Sequence, residues 1–226
     1  MSSIKPKPRS AHTLSRGGLN SISERNLFHS GRIKLIKQLT CSSLLTLDIG
    51  SSISNLGQIR LDVDCSKYPD LIASALHIPL RSGALEQVVF TDVMEHLPAK
   101  SELSAVIEIF RVLRNEGVLI LSTPNSLPLY RVLDPTWFIF GHRHYSIQYV
   151  GKLLRKAGFE VDKVFSTGFI GSSIQFFLQC LVVYPLKLVL RRELPVWFMS
   201  QTVQREYSSN YLGSGLNVFA CASKPK

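Results

Sequence analysis

From residue 43 onward the chain is a series of short apolar runs separated by polar or glycine-bearing breaks. SLLTLDI (43–49), QIRLDVD (58–64), DLIASA (70–75) and EQVVFTDV (86–93) predict four strands. The last is continuous enough in apolar residues to be a central parallel strand. In KSELSAVIEIFRVLRNEG (100–117) the pattern changes. Leu103, Val106, Ile107, Phe110 and Leu113 recur at spacings of three and four, which predicts a helix closed by Gly117. GVLILSTP (117–124) predicts a fifth strand, stopped by Pro124. SIQYVGKLLRKAGFE (146–160) predicts another helix, with Ser146 as N-cap and Gly158 past its end. EVDKVFSTG (160–168) and LNVFACASK (216–224) predict the sixth and seventh strands. Ahead of these, NLFHSGRIKLIKQL (26–39) sets Leu27, Ile33, Leu35 and Ile36 among basic residues. It predicts a short amphipathic helix, interrupted or begun near Gly31.

Strands alternating with helices predict an α/β domain around a mostly parallel sheet. In such sheets ligands bind beyond the carboxyl ends of the strands. The residues to inspect are therefore Gly50, Asp62, Asp64, Ser74, Ala75, Asp92 to His96, and those from Pro124 onward.

Composition adds three points. A chain of 226 residues that is 45% hydrophobic and 19% charged has the matter for one large core and too much for a disordered chain. The net charge of +10 is concentrated at the front, where Lys5, Lys7, Arg9, Arg16, Arg25, Arg32, Lys34 and Lys37 face Glu24 alone. Residues 1–22 read as a basic, flexible arm ahead of a domain over 23–226. The arm is either a solvated leader or an attractor of anionic lipid or nucleic acid. Cys41, Cys65, Cys180 and Cys221 are scattered, with no metal-ligand spacing and no disulfide framework. The first residues lack an apolar h-region, so a reduced, cytoplasmic protein is expected.

Three clusters carry candidate chemistry. Asp62 and Asp64 end the second strand two residues apart, on one face. A carboxylate there can accept both hydroxyls of a ribose, although position alone favours a solvated strand-end acid. In TDVMEHLP (91–98), Asp92, Glu95 and His96 follow a buried strand where the chain must turn. They could orient an acceptor, move a proton or bind a divalent ion; alternatively Glu95 caps a turn and His96 simply packs. GHRHYS (141–146) places His142, His144 and Tyr145 before a helix N-terminus, as a substrate-side loop would. Two histidines without a third ligand are a weak metal signal.

Taken together, LDIG (47–50), LDVD (61–64), ALHIPL (75–80), LEQVVFTDVMEHL (85–97), EIFRVLRNEGVLILSTPN (108–125) and HYSIQYVGKLLRKAGFEV (144–161) resemble the class I S-adenosylmethionine (SAM) dependent methyltransferases, of the group called type 11. The resemblance implies a Rossmann-like seven-stranded sheet, mostly parallel, with an antiparallel last strand. It implies that Asp48, Gly50, Ser51 and Ser52 approach the methionine end of SAM. Asp62, or else Asp64, would hold the ribose, Ala75 and Leu76 would border the adenine, and Thr91 and Asp92 would line the pocket floor. Tyr145 and the nearby histidines would face the acceptor. Some similar enzymes bind a divalent ion with an acid-x-x-Glu-His arrangement, whose spacing Asp92, Glu95 and His96 match; this is a minor alternative to a site without metal. The sequence also departs from the family pattern. Ser52 and Ser54 stand where the loop usually has glycine, and Ser74 stands where an acid usually precedes Ala75. Only about one turn of helix, at about 3.6 residues per turn, fits between Gly50 and Asp62.

The expected activity is methyl transfer from SAM to a small or lipid-linked acceptor, with a glycan or quinone-like precursor in range. His96, His142, His144 and Tyr145 are the candidate catalytic residues. The apolar segment at 172–199 is interrupted by Gln175, Gln179, Pro185 and Lys187. It predicts a monotopic helix at a membrane surface, a lid over the substrate, or a dimer contact, rather than a spanning helix. Two other readings compete: a degenerate methyltransferase fold kept as a binding scaffold, and, third, a nucleic-acid methyltransferase. The third has the charge in its favour but no interleaved aromatic–basic surface.

Overall fold

The computed structural model describes residues 27–51, 56–132, 141–168, 177–178, 205–207 and 215–226. The predicted arm at 1–22, Ser52 and Ser54, and the apolar segment at 172–199 apart from its residues 177–178 lie outside these.

Seven strands form one sheet: β1 (Thr46–Ile49), β2 (Ile59–Asp62), β3 (Leu71–Ile72), β4 (Leu85–Thr91), β5 (Leu113–Pro124), β6 (Glu160–Thr167) and β7 (Asn217–Ser223). Their order across the sheet is β3-β2-β1-β4-β5-β7-β6. β7 is inserted antiparallel between β5 and β6, and the five strands from β3 to β5 are parallel. The α/β fold class and the antiparallel last strand agree with the sequence. The order reverses at β1, which pairs with β2 on one side and β4 on the other. That is a topological switch point, where a crevice opens at the carboxyl ends.

The central strands read as continuous apolar runs because both faces are covered. Val88 and Phe90 of β4, Leu119 and Leu121 of β5, and Val218 and Ala220 of β7 belong to one core. Val89, Ile120 and Phe219, one residue out of phase, belong to a second. The first core is roofed by α2 (Glu102–Val112) and α4 (Ile147–Lys156), through Ala105, Val106, Ile109 and Val112 on one helix and Val150, Leu153 and Leu154 on the other. The second is roofed by α1 (Leu27–Leu39) through Leu35 and Ile36, together with Tyr207. A short helix, α3 (Pro128–Val132), begins on a proline whose missing N–H costs nothing at that position.

Three predicted boundaries move, each for a local reason. α1 is continuous through Gly31. There the missing side chain leaves room for Tyr207, whose Cδ2 would lie 3.0 Å from an added β-carbon. α2 stops at Val112, well before Gly117, because Leu113 turns extended and pairs with Leu85 at the start of β5. Lys224 Nζ donates to the Phe110 and Leu113 carbonyls (2.9 and 2.8 Å), which occupies acceptors that the helix end leaves open. Gly117 instead lies within β5, where a β-carbon would sit 2.8 Å from the Arg114 carbonyl. The third strand shrinks to Leu71–Ile72 because Ser74 begins a turn, its Oγ accepting from Leu76 N at 3.2 Å. At α4 the predicted caps are present. Ser146 Oγ accepts from Tyr149 N, and Gly158 takes φ +101° beyond the helix end.

Candidate functional site

The turn after β1 is built on a glycine for two independent reasons. Gly50 sits at φ +68°, and a β-carbon there would collide with the Val93 side chain. Its N–H donates to Leu61 O at 2.7 Å, so the turn is tied to the end of β2. Ser51 beside it is buried. Asp48 is also buried, and its Oδ2 accepts from Leu56 N at 3.3 Å, which draws the far side of the turn back under β1. Gly57 completes this closure, since a β-carbon would stand 2.7 Å from Thr46 O and 3.0 Å from Asp48 N. Sequence reading had counted one glycine here. The second does its work seven residues on, against the strand itself.

Asp62 lies at the carboxyl end of β2, beside this turn. Its Oδ1 accepts from Asp64 N at 3.0 Å. Asp64 is engaged in the same way, one turn further on. Its Oδ1 accepts from Ser66 N at 2.9 Å, capping the single 3-10 turn Cys65–Lys67, and hydrogen bonds from Ser66 hold its carboxyl below the usual range. The two acids that the sequence left as alternatives thus each accept the backbone N–H two residues on, and they differ in place: Asp62 ends β2 and Asp64 caps the turn that follows. Ala75 is buried, with Leu76 partly covered against the same core. The chain that follows is clamped from α2. Glu108 Oε1 accepts from Ile78 N at 2.9 Å, and Arg111 donates to Ile78 O and Leu80 O at 3.0 and 2.8 Å while pairing with Glu108.

After β4, Thr91 is partly covered and Asp92 takes a left-handed conformation at φ +53°, one that aspartate tolerates better than most residues. Its carboxylate is ion-paired to Arg32 of α1 and accepts from Ser122 Oγ at 3.2 Å. Glu95 is buried at 5% exposure and accepts from Thr123 Oγ1 at 3.2 Å. Burial, and secondarily the Asp92 charge, push its carboxyl well above the usual range. His96 is pushed the other way by burial, which favours the neutral imidazole. Asp92, Glu95 and His96 are therefore turned to three different neighbours. Among the described residues no group of three His, Cys, Asp or Glu side chains could hold a metal ion.

The structure also sorts the residues expected on the acceptor side. His96 and His142 meet edge to face, ring centroids 4.3 Å apart. Tyr145 is buried, and its hydroxyl donates to Glu102 Oε1 at 2.9 Å; burial and that carboxylate push its phenol well above the ordinary value. Its ring stacks on Tyr149. His144 enters neither of these ring contacts. Arg32, Glu102, Ser122, Thr123 and Arg143 were not singled out from sequence. Glu102 is an acid in a first helical turn, a place where acids are common and carry no signal of a site. Arg143 was hidden between two more conspicuous histidines.

Comparison with known proteins gives consistent findings. Residues 33–121 match the family model described as a methyltransferase domain. A Mycolicibacterium smegmatis protein named "Probable S-adenosylmethionine-dependent methyltransferase" is 36% identical over 85 residues. That match covers 38% of this chain and 32% of the relative, so the chain aligns with about a third of the relative's length. Among solved structures, a SAM-dependent methyltransferase from Thermotoga maritima superposes with TM-score 0.60 at 16% identity, over 91% of this chain and 96% of that one. One from Archaeoglobus fulgidus superposes with TM-score 0.56 at 14% identity, over 91% and 99%. A Haloferax volcanii methyltransferase in complex with the Trm112 methyltransferase activator gives 0.55 at 12% identity, over 92% and 93%. At these identities the superpositions speak for the fold.

Proposed function

We propose, from the premise that this chain carries a methyltransferase domain of the class I SAM-dependent family, that it binds SAM and transfers its methyl group to a small or lipid-linked acceptor. The observation that carries the reading is a convergence. Gly50, Asp62, Ala75 and Asp92 follow four strands that are adjacent in the order β3-β2-β1-β4, all at the carboxyl end of the sheet and at its switch point.

The residues fit the cofactor in kind. The left-handed turn at Gly50 lets the backbone come close to a ligand, and Ser51 extends that turn. Asp62 offers a carboxylate suited to a ribose diol, and its place at the end of β2, beside the Gly50 turn, favours it over Asp64, although both accept a backbone N–H two residues on. Ala75 and Leu76 present an apolar edge for a base, held in place by Glu108 and Arg111. When bound, SAM supplies a methyl group already activated on a sulfonium. The task left to the chain is orientation, which alone can supply much of the rate. Asp92, fixed by Arg32 and Ser122, forms the floor of the crevice. His96 and His142 are the pair best placed to accept a proton at a ring nitrogen from an acceptor hydroxyl or amine, since burial favours the neutral form of His96. Tyr145 and Glu102 serve those two from behind.

Calorimetric titration of SAM and S-adenosylhomocysteine into the wild-type protein and Asp62→Ala tests this. Binding to the wild type, weakened about tenfold or more in the variant, is expected for loss of a charged hydrogen-bond acceptor. A well-folded wild type that binds neither would leave the scaffold reading, for which the serines at 52, 54 and 74 are the motivation.

A further inference from the structure

Two residues not among the candidates read from sequence, Arg143 within GHRHYS and Glu102 in the first turn of α2, join the acceptor-side segments into one frame. The guanidinium of Arg143 is ion-paired to Glu102, at the start of α2. It also donates to the carbonyls of Met94, at 3.2 Å, and of Leu97. These carbonyls bracket the short turn that carries Glu95 and His96. Tyr145 donates to the same Glu102 oxygen and lies 3.4 Å from Met94 O. Arg143 itself stands between His142 and His144 in the chain. One planar fork thus grips the turn after β4 from the loop before α4, and the buried Glu102 carboxylate fixes the fork. A lysine could not do this, because it offers a point charge rather than donors at set angles. The consequence is visible where the two segments touch, at the His96–His142 ring contact.

We propose that Arg143 and Glu102 are positioning residues that hold His96 and His142 in one fixed orientation toward the acceptor. This deepens the reading above and rests on it for the acceptor. The frame itself is a claim about geometry and can be tested apart from it.

The test uses the full chain with isotope-labelled histidine. In the wild type, a nuclear Overhauser cross-peak joins the ring protons of His96 and His142, assigned by its loss in His142→Gln. In Arg143→Met the cross-peak disappears and the His96 ring signals shift, while SAM affinity stays within about twofold, as for sites that do not share partners. Glu102→Gln, which keeps the shape and the Tyr145 contact but removes the charge, weakens the cross-peak in the same direction. It decides the matter if Arg143→Met does not fold. A cross-peak that is absent from the wild type, or that persists in the folded variants whatever happens to their melting temperature, overturns the proposal: the cluster would then be structural support only. A wild type that shows the cross-peak but binds no SAM would sink the methyltransferase reading and leave the frame standing.

Discussion

The two rims of the crevice lie at the same end of one sheet, yet they are held in different ways. On the proposed cofactor rim, from β3 to β4, the shape is set first by the backbone, and side chains such as Asp48, Arg111 and Arg32 add ties to it. Gly50 occupies a left-handed turn, Gly57 lets one segment pass under another, and strand register sets Asp62 beside Gly50. On the proposed acceptor rim, the turn at Met94–His96 and the loop at 141–145 come from distant parts of the chain. Side chains join them: Arg143, Glu102 and Tyr145. The first kind of rim resists change because its conformation is built into the strands. The second is adjustable, since a few substitutions can re-aim a loop without touching the sheet. That division suits an enzyme that keeps one cofactor while its acceptor is free to differ.

The largest expected effect breaks the cofactor rim. Gly50→Ala should cost about 2–4 kcal/mol in denaturant unfolding, combining left-handed strain with overpacking against Val93. Gly141→Ala is the control, because that residue has φ +65° but nothing within 4 Å of an added β-carbon. It should lose only the strain, about 1 kcal/mol. A Gly50→Ala, Val93→Ala pair that recovers nothing would contradict the proposed collision.

Next is the division of labour between the two acids. Asp64→Ala should leave SAM affinity unchanged while lowering stability through a lost turn cap, read as a lower denaturation midpoint. The opposite pattern, with Asp64→Ala rather than Asp62→Ala losing affinity, would exchange their proposed roles.

A pH series sharpens the boundary between the rims, where Glu95 sits. Burial makes its carboxyl hold a proton to higher pH in the folded protein than in the unfolded chain, where its ordinary value is 4.5. The folded state then binds the extra proton, so Glu95 subtracts stability as pH rises from that value toward the raised one. Glu95→Gln keeps the Thr123 hydrogen bond and removes this term. The stability of the variant relative to wild type should climb steadily over that range. A flat difference would mean that Glu95 is ionised in the folded state.

The smallest expected effect concerns the clamp on the adenine-side segment. Arg111→Met should cost about 1 kcal/mol, because Arg111 is partly exposed and its hydrogen bonds are shared with solvent. It should leave the His96–His142 cross-peak untouched. Loss of that cross-peak would mean that the two rims are mechanically one.

Sequence alone determined the parts that depend on neighbours along the chain. The central strands were legible because both faces of the sheet are covered there and their runs are largely apolar. The cap at Ser146 and the glycine at 158 were legible because capping is a local hydrogen-bonding rule. The conspicuous acids and histidines stood where strands end. What only the tertiary structure decided is which of these side chains already had partners. Tyr145 was drawn to Glu102, and Asp92 to Arg32 of a helix far back in the chain. Gly117 passed from a helix end into a strand because Leu113 found Leu85. No local pattern could signal these pairings. A charge or a phenol is satisfied by whatever the fold brings within hydrogen-bond reach, and those partners lie tens of residues away in the sequence.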